Sequence, residues 1–377
     1  MWIPEIKPCE AYLLQSRGAL LLDVREDQER EVEGAPEGAI ATSLSEFEVR
    51  IAELALATEL EILTICAHGR RSLVAAGMLR QLGYTKVSSV QGGFEYWRNE
   101  NLPVINALNT LKNDAMERYS RHLRLPEIGV KGQEKLAKSK VAIVGLGGLG
   151  SPAALYLAAA GVGHLTIIDN DQVDRSNLQR QILHSDDRVG MLKTDSAEFA
   201  LSTLNPSVYI DKKNQKLQSN NVEKLIRSHD VIIDGADNFP ARYLLNAASQ
   251  KLKIPLVYGA VHRFSGQVSV FDPCRTNSPC YRCLFPEPPT AEDAPNCTQT
   301  GVLGVVPGII GLLQANEVIK LLVEIGESLI GRLLCFDALS VRFREVILPK
   351  DPDCPGCSAG ITAPNSYEDF APVCRSE

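Results

Sequence analysis

The chain has 377 residues, 45% of them hydrophobic and 23% charged, with a net charge of −7 and a pI near 5.6. That length exceeds what one ordinary core serves and implies two domains, and the acidic balance argues against direct nucleic-acid binding. Ten cysteines are too sparse for a secreted disulfide scaffold; they point to a cytoplasmic protein whose thiols are metal ligands or reactive groups.

The opening residues MWIPEIKPCE lack the basic-then-apolar pattern of a signal peptide. Residues 1–104 read as a small α/β domain. Buried strands are expected at Ala19 to Val24, Glu61 to Ile65 and Lys86 to Val90, with an apolar helix from Leu73 to Leu82. Cys66 stands where the second strand hands over to that helix, in the stretch CAHGRRS. Backbone N–H groups there can converge on the sulfur, and the helix dipole with Arg70 and Arg71 favours a thiolate. A thiolate is a nucleophile, and a persulfide on it would sit in the same cradle. An inert buried cysteine is the plainer alternative. A cysteine phosphatase is a third, but its loop needs an arginine where this one has Ser72.

With DVRE at 23–26, EGAI at 37–40, the CAHGRRS loop and QGGFEYW at 91–97, this segment resembles a single-domain rhodanese, a sulfurtransferase. The resemblance implies that Cys66 carries the persulfide and that residues 66–71 cradle it.

Residues 105–115 are polar and read as a linker, able to span roughly 33 Å when extended. Next, RYSRHLRL carries Arg118, Arg121 and Arg124, which by themselves suggest a solvated basic helix.

The second domain, residues 116–357, is organised around KVAIVGLGGLGSPAALYLAAAGVGHLTIIDND at 140–171. This is strand, glycine turn, helix, strand, acid. Glycines let backbone approach a phosphate, the helix N-terminus favours an anion, and Asp169 is placed to accept ribose hydroxyls. A dehydrogenase would look the same up to Asp169. Beyond it come Asn177, Arg180 and Lys193, and cations suit a triphosphate attacked at phosphorus. The strand at 231–233 ends in DGADN, and carboxylates at a strand's carboxyl end suit Mg²⁺.

Cys280-Tyr-Arg-Cys283 and Cys354-Pro-Gly-Cys357 form two C-x-x-C pairs. Four thiolates in two such pairs make a closed, structural Zn²⁺ site; a redox dithiol is the rival reading. Cys297, in the polar stretch PNCTQTG, is a candidate nucleophile. The apolar run Val302 to Leu313 contains three glycines and a proline and is short for a membrane span, so it reads as a buried helix. The tail, 358–377, is polar, and Cys374 in it has no assigned role.

RYSRHLRL, GLGGLG, DNDQVDRSNLQRQ, VGMLK, DGADNFPAR, the two C-x-x-C pairs and NCTQTGVLGVVPG together resemble the MoeB/ThiF adenylyltransferases, relatives of the ubiquitin-activating enzymes. The resemblance implies a Rossmann-like domain that uses ATP and Mg²⁺ to adenylate the C-terminal Gly-Gly of a small ubiquitin-like sulfur carrier. By it, Gly148 lies at the phosphates and Asp169 on the ribose. Ser176, Asn177, Leu178, Gln179, Arg180 and Lys193 contact ATP, and Asp237 with Asn238 handles Mg²⁺ and phosphate. Arg121 becomes an arginine supplied across a homodimer, and Cys297 an acyl-accepting or resolving cysteine. Joined to a rhodanese, such a domain would complete a thiocarboxylate, as in molybdenum cofactor biosynthesis, with sulfur drawn from a persulfide donor such as a cysteine desulfurase. Carriers for thiamine, for tRNA thiolation or for ubiquitin-like conjugation are the alternatives. Where both domains occur together the rhodanese usually follows the adenylyltransferase; here it comes first.

Overall fold

A computed structural model describes residues 2–105, 113–288 and 301–358. Cys297, Cys374 and nearly all of the tail lie outside the described residues. The chain divides into two compact units, residues 1–132 and 133–377.

The first unit holds a parallel sheet ordered β1-β6-β5-β2-β4, built from β1 (Glu5–Ile6), β2 (Leu20–Asp23), β4 (Ile40–Ala41), β5 (Glu61–Ile65) and β6 (Lys86–Val90). A short antiparallel pair, β3 (Ala35–Pro36) with β7 (Val104–Ile105), lies beside it in sequence. Parallel strands buried on both faces read as unbroken apolar runs, and Leu21, Leu22, Ile62, Leu63 and Ile65 are fully buried. β5 is central, so Cys66, immediately after it, sits at the carboxyl end of the best-supported strand. The DVRE stretch is a structural device: buried Arg25 forks onto Asp23 (Nε–Oδ1 3.0 Å, Nη2–Oδ2 2.6 Å), donates to the Gly34 carbonyl at 2.7 Å and stacks on Phe94.

In the second unit an eight-stranded sheet runs β10-β9-β8-β11-β12-β13-β14-β15. Its parallel half comprises β8 (Lys140–Val144), β9 (His164–Ile168), β10 (Tyr209–Lys213), β11 (Val231–Asp234) and β12 (Leu256–His262). Three antiparallel strands extend it: β13 (Ser265–Phe271), β14 (Arg332–Asp337) and β15 (Arg342–Ile347). From β8 the chain first steps outward to β9 and β10, then returns to the other side at β11. A doubly wound sheet opens a ligand crevice at such a reversal, beyond the strands' carboxyl ends.

Among the described residues one helix, Val305–Val323, is long and apolar enough to cross a membrane. Here it packs on the helix Gly150–Ala160 and on β11 to β13, as the buried-helix reading expects. Two of its polar side chains reach protein partners: Gln314 donates to the carbonyls of Asp234 (2.8 Å) and Val257 (3.1 Å), and Glu317 accepts from the Leu329 N–H at 2.8 Å.

Candidate functional site

The reversal between β8 and β11 brings the expected residues of the second unit together. Gly145 ends β8 with φ +89°, and a Cβ there would stand 2.5 Å from the carbonyl oxygen of Gly235, which follows β11. The two strand ends therefore touch backbone to backbone, as only glycine permits. Gly148 lies between Pro307 and Arg180: a Cβ on it would be 3.0 Å from the Pro307 ring and 3.5 Å from Arg180 Cγ. Arg180 is thereby laid across the glycine loop, with Nη2 donating to Asn177 Oδ1 at 2.7 Å.

Asp169 ties the same loop to β9. Oδ2 accepts from the Leu146 N–H and Oδ1 from the Asp171 N–H, both at 2.8 Å. Burial pushes this carboxyl up, against the pull of Lys193 and of those two N–H groups. Lys193, 5% exposed, opens the helix Lys193–Leu204 and pairs through Nζ with Asp171 Oδ2 at 2.9 Å. Ser176 and Asn177 lie in a one-turn segment, Arg175–Asn177, whose start is capped by Asp174; Leu178 is half-buried and Gln179 exposed. Across the crevice Asp237 is exposed, and Asn238 caps the helix Phe239–Leu252 by accepting from the Ala241 N–H at 3.0 Å while donating to Asp237 Oδ1 at 3.2 Å. A triphosphate would find N–H groups and two cations on one wall and a carboxylate on the other.

Four further residues support this corner; Asp234 and Arg242 open and close the DGADNFPAR stretch, while His184 and Gln314 stand in no motif. His184 donates from Nε2 to the Leu146 carbonyl (3.2 Å), which leaves Nδ1 to accept from the Ser196 hydroxyl (2.9 Å). Asp234, Arg242 and Gln314 lie beneath the end of β11. Burial, with Lys193 and Arg188 adding, pushes His184 down to about 4. The ordinary histidine value is about 6.5. Between those values the unfolded chain binds the proton and the folded one does not, so the contribution is intact above the unfolded value and is lost as pH falls through that window. Urea titrations should show the wild type losing about 2 kcal/mol more than His184→Gln between about pH 7.5 and about pH 5; equal losses would contradict the assignment.

The four cysteines of the two C-x-x-C pairs converge, their sulfurs all within 4.8 Å of one another. Cys280 and Cys354 are 3.6 Å apart, and Cys283 and Cys357 3.5 Å. Sulfurs about 2.3 Å from a tetrahedral zinc stand about 3.8 Å apart, so the set fits Zn²⁺. Hydrogen bonding with Cys283 pushes Cys280 up, and hydrogen bonds from Cys280 and Cys357 hold Cys283 down; a dication resolves that conflict by taking all four as thiolates. No position is left open, so the role is structural. Cys354→Ser should lower zinc content and melting temperature together, checked by elemental analysis and a thermal melt.

In the first unit the Cys66 sulfur accepts from the Gly69 N–H at 3.2 Å and meets the Ser72 hydroxyl at 3.4 Å. Of the arginines expected beside it, Arg71 bears on Cys66 through its charge while its hydrogen bonds go to Glu29. Arg71 forks onto Glu29 at 2.6 and 2.5 Å, lowering the Glu29 carboxyl, and Arg70 is exposed. The cradle is thus made by backbone and hydroxyl groups. The Gly92-Gly93 pair braces it: Gly93 has φ +63°, and any Cβ there would run into the Cys66 carbonyl, which accepts from the Phe94 N–H at 2.7 Å. Arg121 is exposed on a short helix, Ser120–Leu123, in the same unit.

The second unit is a nucleotide-binding α/β domain with a four-cysteine metal knuckle, and the first a parallel α/β domain presenting a cradled cysteine. The ThiF family profile matches residues 119–356, and that of the rhodanese-like domain residues 8–100. The chain belongs to the ThiF family, whose members bind ATP, with a rhodanese-like domain ahead of the family domain. It is 48% identical over 253 residues to the SAMP-activating enzyme E1 of Haloferax volcanii, covering 67% of this chain and 93% of that one. To the adenylyltransferase and sulfurtransferase MOCS3 of Drosophila sechellia it is 51% identical over 263 residues, covering 69% of this chain and 58% of the relative's length. Crystal structures of E. coli MccB share the fold, with a TM-score of 0.58 at 23% identity over 70% of this chain and 81% of that one.

Proposed function

We propose that this chain adenylates the C-terminal glycine of a small ubiquitin-like sulfur carrier and then converts that terminus to a thiocarboxylate, using sulfur carried on Cys66. The observation that carries the proposal is the presence, in one chain, of a ThiF-type nucleotide corner and a rhodanese-type cysteine cradle. The MOCS3 relative is named for both activities, adenylyltransferase and sulfurtransferase, and the SAMP-activating relative for activation alone.

The carrier's carboxylate oxygen attacks the α-phosphorus of ATP, and pyrophosphate leaves. Gly148 and the loop N–H groups lie against the phosphates, Asp169 against the ribose, and Ser176 to Arg180 with Lys193 line the nucleotide. Arg180 and Lys193 offset the charge that builds on the phosphoryl oxygens. Asp237, oriented by Asn238, would hold Mg²⁺, which supplies further charge neutralisation. The terminal persulfide sulfur on Cys66 then attacks the acyl carbon and AMP departs, giving an acyl disulfide. A thiolate, from Cys297 or an external thiol, attacks the Cys66 sulfur; a new disulfide forms and the thiocarboxylate leaves. The persulfide itself comes from a donor of the cysteine desulfurase kind. Arg121 acts across a homodimer, and the reduced thiols suit a cytoplasmic setting.

Incubating the full chain with ATP, a persulfide donor and each of a panel of Gly-Gly-ending carriers, with intact-mass analysis of the carrier, tests this. A carrier that gains sulfur in place of oxygen supports the reading; adenylation of none of them overturns it.

A further inference from the structure

Four buried polar atoms beneath the carboxyl end of β11 have no hydrogen-bond partner among the described residues: Asp234 Oδ2, Arg242 Nε, the Tyr281 hydroxyl and Gln314 Oε1. The first three belong to one arrangement. Asp234, fully buried, accepts through Oδ1 from the Ala236 N–H at 3.0 Å, and Arg242 Nη2 donates to the Ala236 carbonyl at 3.0 Å. Acid and base thus hold the N–H and the C=O of the residue immediately before Asp237. Between themselves they remain 3.8 Å apart. The guanidinium also lies over the Phe239 and Tyr258 rings, and the Tyr281 side chain faces it.

Tyr281 stands between Cys280 and Cys283, inside the first metal knuckle. Its N–H donates to Asn246 Oδ1 at 2.9 Å, and Asn246 Nδ2 approaches Cys280 Sγ at 3.8 Å. Asn246 is one helical turn beyond Arg242 on Phe239–Leu252, the helix whose N-terminus follows Asp237 and is capped by Asn238. A continuous chain of contacts therefore runs from the cysteine set through Asn246 and Tyr281 to Arg242, then to Ala236 and Asp237. A buried charge pair left incompletely closed is weak evidence for stability; fixing position is the better account of it.

We infer that Asp234, Arg242 and Tyr281 are positioning residues that set the Asp237 carboxylate for the nucleotide, and that the four-cysteine knuckle is the anchor of this arrangement. The inference rests on the reading that Asp237 serves the nucleotide's divalent cation. The knuckle then does more than staple the chain's end to its middle: it holds one wall of the ATP crevice in place.

The test uses the full chain and a fluorescent ATP analogue, with dissociation constants measured in Mg²⁺ and in chelator, zinc content measured in parallel, and initial rates of carrier-dependent pyrophosphate exchange. Tyr281→Phe should keep its zinc and melting temperature yet weaken Mg²⁺-dependent nucleotide binding about threefold, the effect of losing a hydroxyl that faces the Arg242 guanidinium without closing a hydrogen bond to it. Its KM for ATP should rise while kcat falls little. Arg242→Gln should weaken binding more, with Arg242→Lys recovering part of it; a merely structural role would give no such rescue and no Mg²⁺ dependence. Asp237→Ala is the reference. If it leaves Mg²⁺-dependent binding unchanged, the functional reading of that carboxylate fails. If it abolishes that dependence while Tyr281→Phe and Arg242→Gln bind like the wild type, the positioning inference alone is overturned.

Discussion

Lys193→Ala and Asp237→Ala should each lower carrier-dependent pyrophosphate exchange by about 10³-fold, in line with removing one well-placed charge from a reacting phosphoryl centre. The two side chains sit on opposite walls of the crevice, one at the start of the helix that follows Asp171, the other just beyond β11. For Asp237 the loss is not an unfolding effect, whereas buried Lys193 also steadies the buried Asp169 carboxylate, so a melting curve accompanies that variant. Asp171, the partner that Lys193 leaves behind, is 58% exposed in its side chain, and an exposed carboxylate is readily solvated. Asp237 is exposed and its described hydrogen bond is the one from the Asn238 amide. The melting temperature of Asp237→Ala should therefore stay within a degree or two, about the shift that a few tenths of a kcal/mol gives. Thiosulfate:cyanide sulfurtransfer, which uses only the first unit, should be unchanged in both variants. Exchange at the wild-type rate in both would remove the ATP site from this crevice.

How much of this was legible in the sequence depends on what each residue does locally. Strand, glycine turn and acid are properties of consecutive residues, and Gly145, Asp169 and Lys193 fall where the 140–193 stretch puts them. The C-x-x-C pairs were readable because two ligands three apart on a tight turn are a chemical signature in themselves. For Arg71 the sequence shows only half of its surroundings: its charge acts on Cys66, but its hydrogen-bond partner, Glu29, lies 42 residues away. The same limit hid His184 and Gln314, whose roles exist only once β8, β11 and the helix Val305–Val323 are assembled; Asp234, expected with Asp237 as a carboxylate at the end of β11, is instead buried beneath it. The strand β15 was invisible for a different reason. β15 is exposed along its whole length, so it shows none of the inside–outside alternation by which a half-buried strand is recognised. Asn238, expected with Asp237 at Mg²⁺ and phosphate, also has a local duty that the sequence did not announce: its oxygen caps the helix Phe239–Leu252.

Cys66→Ala should eliminate both thiosulfate:cyanide sulfurtransfer and thiocarboxylate formation while leaving pyrophosphate exchange at the wild-type level. The substitution removes one buried sulfur from a cradle made by the Gly69 N–H and the Ser72 hydroxyl. Ser72 retains its bonds to the Gly69 carbonyl (3.0 Å) and to Ser89 (2.9 Å), so the loop keeps its shape. What disappears is the nucleophile. The contrast with Cys297 then becomes informative, because the two cysteines enter the proposed relay at different bonds. Cys66 must form the carbon–sulfur bond to the carrier, so without it the acyl-adenylate accumulates and the carrier gains no sulfur. If Cys297 resolves the acyl disulfide, Cys297→Ala should load sulfur on Cys66 normally and release thiocarboxylate slowly, with added small thiol restoring the rate. If Cys297 instead takes the acyl group first as a thioester, the same variant should fail before sulfur reaches the carrier, and thiol should not rescue it. Intact-mass analysis of the carrier after a single turnover separates the three species. Thiocarboxylate made by Cys66→Ala at the wild-type rate from a persulfide donor would place the sulfur source outside the first unit altogether, and the rhodanese-like fold would then need another explanation.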